Sequence, residues 1–114
     1  MQPSAIYDSW DVVVVPFPFV ERFGAKRRPA VVLSTADFNG AGNTVLAMIT
    51  TAPAGEWASD VRIADLEPAG LPTPCVIRFK LFTIDNRLLV RRAGELSARD
   101  RAAAKRSLRR LLPR

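Results

Sequence analysis

Residues 11–19 read Asp11-Val12-Val13-Val14-Val15-Pro16-Phe17-Pro18-Phe19, and this stretch sets the fold. Four consecutive valines are β-branched; they lose side-chain freedom in a helix and suit a pleated surface. The run predicts a buried strand over Asp11–Phe17. Pro16 and Pro18 have no N–H for a sheet ladder, so the strand must end or reach an edge there. The apolar run from Val12 to Val20 is too short to cross a bilayer and is broken by those prolines.

Working outward, Glu21–Arg28 reads as a polar, basic loop with Gly24 as its pliant point, and Pro29–Ser34 resumes as an apolar, β-branched strand. Asp37–Asn43 is a turn cluster rich in Asn and Gly. Thr44–Thr51 reads as a third strand, closed by Pro53 and Gly55. Trp57–Ala64 alternates weakly, with Val61 and Ile63 opposing Asp60 and Arg62. A loop containing Pro68, Gly70, Pro72 and Pro74 leads into a strand over Cys75–Phe82. There Val76, Arg78 and Lys80 should share one face, and Cys75, Ile77, Phe79 and Leu81 the other. Leu88–Val90 is expected as a further short strand.

The end of the chain is helical. Ser97 followed by Asp100 resembles a capping box. Ala104, Leu108, Leu111 and Leu112 form one apolar stripe, which is expected to pack on the sheet, and Pro113 stops the helix. Short strands and one terminal helix predict a mainly β (α+β) fold, a small, strongly curved sheet or barrel closed by the helix. The 114 residues suit a single domain over 1–114. Their 48% apolar and 25% charged content argues against a disordered chain. So small a core also gains buried area by pairing with a second copy.

The formal charge is +6 and unevenly spread. Residues 1–90 carry eight basic and nine acidic side chains; residues 91–114 carry nine basic and two acidic. An excess of this kind favours an anionic partner: nucleic acid, an acidic protein segment or a membrane surface. The absence of histidine excludes a histidine-based triad, an imidazole shuttle and a histidine metal site. Cys75 stands alone, so no intrachain disulfide or multi-cysteine zinc cluster forms, and it reads as a packed strand residue. A lone cysteine and a start without a basic leader region predict a cytoplasmic protein.

Lys26-Arg27-Arg28-Pro29 is the cluster richest in chemistry. Adjacent cations repel, so folding alone does not favour them, and Pro29 restricts Arg28 to extended backbone. A guanidinium presents a planar fork of donors that matches phosphate oxygens. Thr50 and Thr51 close the third strand with two hydroxyls able to donate to a phosphate. Arg78 and Lys80 fall on one face of an otherwise apolar strand and require water, an anion, or acids such as Asp60 or Asp85. Asp85 reads as a turn residue, and Trp10 and Trp57 as core or interface aromatics.

Taken in order, these segments resemble the MazF/PemK family of toxin–antitoxin endoribonucleases. The resemblance covers Asp11 to about Leu112. It rests on Asp11–Phe19, then Arg28-Pro29-Ala30-Val31-Val32-Leu33-Ser34, Ala47-Met48-Ile49-Thr50, Ala69-Gly70-Leu71, Lys80-Leu81-Phe82-Thr83-Ile84-Asp85 and Gly94-Glu95-Leu96-Ser97. It implies a small SH3-like β-barrel of about five to seven strands with a C-terminal helix. It further implies a homodimer that cuts single-stranded RNA without metal or cofactor. In that reaction the ribose 2′-hydroxyl attacks the adjacent phosphorus, leaving a 2′,3′-cyclic phosphate and a 5′-hydroxyl, and an acidic antitoxin blocks the groove.

Carried over by position, the family's Arg-Pro arginine is Arg28, which would bind the scissile phosphate. The threonine or serine after the hydrophobic strand is Thr50, which would hold a phosphate oxygen. Arginine keeps its proton in proteins, so its role is electrostatic. Arg78 aligns with a strand arginine that some members use. Arg22, Lys26, Arg27, Thr51 and Lys80 complete the expected substrate contacts. Three positions depart from the family pattern: Trp10 replaces a glycine, Arg22 falls where some members have a histidine, and Lys80 where some have an aspartate. Acid–base roles built on that histidine or aspartate do not carry over, and Glu21 is the nearest loop carboxylate. The alternative is a non-catalytic toxin of the same fold that poisons DNA gyrase through its terminal helix. A membrane-surface role for the basic helix is the weakest reading, because its apolar stripe is modest.

Overall fold

The valine run forms strand β1 (Asp11–Phe17), paired on both sides: with β2 (Lys26–Val32) and with β6 (Arg91–Glu95). The computed structural model describes residues 5–19, 24–52 and 57–113. Beyond β2 lie β3 (Asn43–Thr51), β5 (Cys75–Asp85) and the two-residue β4 (Val61–Arg62). The order across the sheet is β4-β5-β3-β2-β1-β6, with every neighbouring pair antiparallel. Helix α3 (Ala98–Leu111) follows β6, so the mainly β sheet with a terminal helix is the architecture observed.

Alternation along the strands divides the core in two. One cluster holds Val12, Val31, Ala47, Ile49, Ile77 and Phe79, with Leu96 and Ala104 from the helical end. The other holds Val13, Val15, Ala30, Val32, Leu46 and Ile84, joined by Phe19 and Phe82. The valines therefore feed both sides of the sheet, which is why the run is continuously apolar rather than alternating. Each such side chain contributes about 1.5–3 kcal/mol when fully buried. Cys75 is buried among these residues, and burial raises its thiol above the usual range.

Several local expectations are corrected. Lys26, Arg27 and Arg28 lie within β2 opposite Phe17, Pro16 and Val15, not in the preceding loop. Asp37–Asn43 is not all turn: Ala36–Asn39 is a single helical turn, α1, whose Phe38 N–H donates to Thr35 Oγ1. The proline-containing loop includes a second turn, α2 (Leu66–Ala69). In Trp57–Ala64 only Val61 and Arg62 join the sheet. The Asp60 N–H donates to the Trp57 carbonyl and the Trp57 N–H to the Asp60 carboxylate, a local closure that competes with the ladder. Leu88–Val90 is not a strand. Asp85 accepts the Arg87 N–H and opens a 3₁₀ turn over Asn86–Leu88, and the next strand starts at Arg91.

The alternation in β5 holds through Phe79 and then breaks. Arg78 pairs with Met48 while Leu81 pairs with Ala47, so β5 carries extra residues at a bulge. Leu81 consequently shares a wall with Arg78 and Lys80 instead of lying with Cys75 and Ile77. Trp10 has φ = 75°, a left-handed conformation costing a non-glycine residue about 1–2 kcal/mol. Packing of its half-buried indole against the first core cluster offsets that strain.

Only half of the expected capping box forms. Ser97 Oγ accepts the Asp100 N–H at 3.2 Å, but the Asp100 carboxylate turns away from its own helix. It accepts the N–H groups of Ala64 and Asp65, each at 2.9 Å, and Asp100 is 1% exposed. We expect Asp100→Ala to deprive the Ala64 and Asp65 N–H groups of their acceptor, at about 1–3 kcal/mol in all. A thermal melt should fall by on the order of 10 °C, and an unchanged melting temperature would refute the tie. Of the apolar stripe, Ala104 and Leu108 meet the core, whereas Leu111 and Leu112 are 47% and 49% exposed.

Candidate functional site

β1 ends where β2 begins, and β3 runs antiparallel to β2. The ladder pairs Ala30 with Met48. Continued two places along each strand, that register sets Arg28 level with Thr50. The same strand positions face one cavity of about 280 Å³, lined by Arg28, Thr50, Arg78 and Lys80. Its remaining walls are apolar or aromatic: Phe17, Phe19, Met48, Trp57, Leu81 and Phe82.

Each guanidinium is held differently. The Arg28 Cζ lies 5.4 Å from the centre of the Phe17 ring. Phe17 meets Phe19 edge-on at 5.5 Å, and Phe19 stacks on Phe82 at 4.3 Å. This aromatic line supports Arg28 from behind. Among the described residues Arg28 has no carboxylate partner, and its buried Nε meets no acceptor. Arg78 is bidentate to Asp60: Nη2 donates to Oδ2 at 2.8 Å and Nε to Oδ1 at 3.2 Å. It also stands 5.1 Å from the centre of the Trp57 ring. Of the two uses the sequence left open for Arg78, pairing with an acid and facing a cavity, the structure has both.

Lys80 is exposed at the cavity wall. Lys26, Arg27 and Thr51 are exposed and outside its lining. Arg22 and Glu21 lie outside the described residues. No carboxylate lines the cavity among the described residues, because Asp60 sits behind Arg78. Nor do the described residues gather three or more His, Cys, Asp or Glu to hold a metal ion.

Sequence reading missed the aromatic wall. Phe17 continues the parity of Val13 and Val15, which was the available signal. Trp57, read as a core or interface aromatic, is 46% exposed at the cavity. Its place depends on the Asp60 turn, for which the sequence carries no comparable pattern.

The Arg78 guanidinium holds the Asp60 carboxyl below the usual carboxylate range, and Asp60 in turn raises Arg78. A carboxyl depressed in the folded state stabilises the fold above its unfolded value of 3.8 and loses that contribution as pH falls through the folded value. We therefore expect melting temperature to drop on acidification below about pH 4. Asp60→Asn should be less stable near neutrality but show a shallower acid slope. Parallel acid slopes in the two proteins would refute this role.

A curled antiparallel sheet that gathers three cations and a threonine around one cavity, closed by a terminal helix, defines a small β protein with a cationic cleft. Residues 8–112 match the family described as "PemK-like, MazF-like toxin of type II toxin-antitoxin system", and the chain belongs to that family. MazF (Form-I) from Deinococcus radiodurans is 26% identical, with 94% of this chain and 96% of that one covered and a TM-score of 0.72. The MazE-MazF crystal structure (Form-III) from the same organism matches at 24% identity, with coverage of 94% and 96% and a TM-score of 0.74. An endoribonuclease in complex with its cognate antitoxin from Mycobacterial species shares the fold at 17% identity, with coverage of 95% and 98% and a TM-score of 0.72. A search of curated proteins found no match.

Proposed function

We propose that this chain is the toxin of a type II toxin–antitoxin pair and a metal-independent endoribonuclease acting on single-stranded RNA in the cytoplasm. The observation that carries the reading is Arg28: a guanidinium with no carboxylate partner among the described residues, lining one cavity with the Thr50 hydroxyl. An RNA phosphodiester supplies the acceptor oxygens that such a pair takes up.

In the reaction, the ribose O2′ loses its proton and forms a bond to phosphorus, while the P–O5′ bond breaks and O5′ leaves as a hydroxyl. Charge gathers on the non-bridging oxygens. Arg28 meets that charge with a fixed fork of donors, and Thr50 donates one neutral hydrogen bond. Lys80 adds positive potential at the wall, and Arg78 contributes less because Asp60 already occupies two of its donors. Support for an acidic antitoxin comes from family membership and from the MazE-MazF structure. The same membership supports a homodimer, which light scattering at micromolar concentration tests through the mass.

The deciding experiment incubates chelator-treated protein with mixed-sequence single-stranded RNA and identifies the ends. Fragments with 2′,3′-cyclic phosphate and 5′-hydroxyl termini are expected; intact RNA overturns the reading. A second reading, a gyrase poison, is favoured by the exposed Leu111 and Leu112 beside Arg109 and Arg110. It requires lost DNA supercoiling with RNA left whole.

A further inference from the structure

A phosphate alone has no use for the apolar part of the cavity. Phe17, Met48, Trp57 and Leu81 form walls suited to a flat, weakly polar occupant, and Trp57 keeps 46% of its surface exposed there. Among protein side chains the indole offers a broad stacking face.

Trp57 is also held in place. Its backbone N–H donates to Asp60 Oδ2 at 3.0 Å, and the same carboxylate grips Arg78, whose Cζ lies 5.1 Å from the centre of the Trp57 ring. The turn that Trp57 opens is tied to the terminal helix, because Ser107 Oγ donates to the Ser59 carbonyl at 2.8 Å. Asp60 thus fixes the Trp57 backbone and the Arg78 guanidinium, and that guanidinium meets the indole, so the two form one surface beside Arg28 and Thr50. We infer that Trp57, backed by Arg78, is a seat for an unpaired nucleobase adjoining the phosphate held by Arg28. The inference rests on the proposed RNA substrate and adds which chemical part of it the apolar wall takes. A base stacks through its π-face without regard to its identity, so the seat supplies affinity and register rather than a sequence code.

The test uses DNA dodecamers, which have no 2′-hydroxyl and are not cut. One is deoxyadenylate; the other is an abasic strand of equal length and charge. Affinity is read for every variant by the anisotropy of 5′-labelled strands, and Trp57 fluorescence is followed in a Trp10→Phe background. The deoxyadenylate strand should quench Trp57 and bind about 5–150-fold more tightly than the abasic strand, the equivalent of about 1–3 kcal/mol of stacking. Trp57→Ala should erase that difference and leave abasic binding unchanged, while Trp57→Phe should retain most of it. Equal affinity for the two strands, equal weakening of both by Trp57→Ala, or quenching only by an acidic aromatic peptide would overturn the seat. RNA cleavage is scored separately. Base-dependent quenching with RNA left intact supports the seat while removing the nuclease; cleavage without base-dependent binding removes the seat while keeping the nuclease.

Discussion

Arg28→Ala is expected to lower kcat for RNA cleavage by about 10²–10³-fold, the loss found when one preorganised donor is removed from developing oxyanion charge. That factor corresponds to about 2.7–4 kcal/mol of transition-state stabilisation. Arg28→Lys should recover little, because an ammonium is a point charge and lacks the planar fork. Stability and activity should separate in this variant. The Arg28 Nε makes no hydrogen bond within the described residues, so truncation removes a buried unpaired donor along with the contact to Phe17. These changes oppose each other, and the melting temperature should move little. Thr50→Val, which removes one neutral hydroxyl at nearly constant shape, should cost only about tenfold. Arg78→Ala should cost fold stability as well as rate, since it strands the Asp60 carboxylate, whose side chain is 8% exposed. Single-turnover cleavage rates for the four variants check the order, and full activity in Arg28→Ala would remove the electrostatic role.

The parts of this arrangement that were readable in advance are those fixed by period and register. Four valines named β1, and the β-branched runs placed Thr50 near the end of one strand and Arg28 in the loop just before another, a placement that β2 (Lys26–Val32) corrects. Antiparallel pairing of β2 with β3 then brought those residues level. What resisted reading depends on contacts between distant residues. The β5 bulge shifts Leu81 to the cavity, and nothing in Phe79-Lys80-Leu81 marks an irregularity, since the strand would alternate acceptably without it. Asp60 offered two uses in sequence, a place in a weak strand or a partner for Arg78. Its carboxylate takes both the Arg78 fork and the Trp57 N–H, and the turn so made carries Trp57 to the cavity. Helical period identified the apolar stripe of α3 but not how far along it the core extends. Leu111 and Leu112 are therefore exposed although their spacing matches Ala104.

Gly94→Ala is expected to damage the fold severely, for a reason that links two motifs read separately in the sequence. A Cβ at Gly94 would stand 2.2 Å from the Pro68 carbonyl oxygen and 2.6 Å from the Ala69 carbonyl carbon. A Cβ at Gly70 would stand 2.1 Å from the Ala93 carbonyl oxygen, and Gly70 also has φ = 72°. Ala69-Gly70-Leu71 and Gly94-Glu95-Leu96-Ser97 are thus two sides of one crossing, where α2 lies against β6 backbone to backbone. No side-chain rotation relieves a clash with main-chain atoms, so one element must move. Moving β6 disturbs its pairing with β1 and the entry to α3 through buried Leu96. Overpacking of this kind costs about 3 kcal/mol or more, and the melting temperature should fall by on the order of 10–20 °C. Gly42→Ala supplies the contrast: φ is 116° and nothing lies within 4 Å of the added carbon, so backbone strain of about 1–2 kcal/mol is the whole effect. Should Gly94→Ala melt no lower than Gly42→Ala, the close approach of α2 to β6 would be wrong, and with it the reason both motifs carry a glycine.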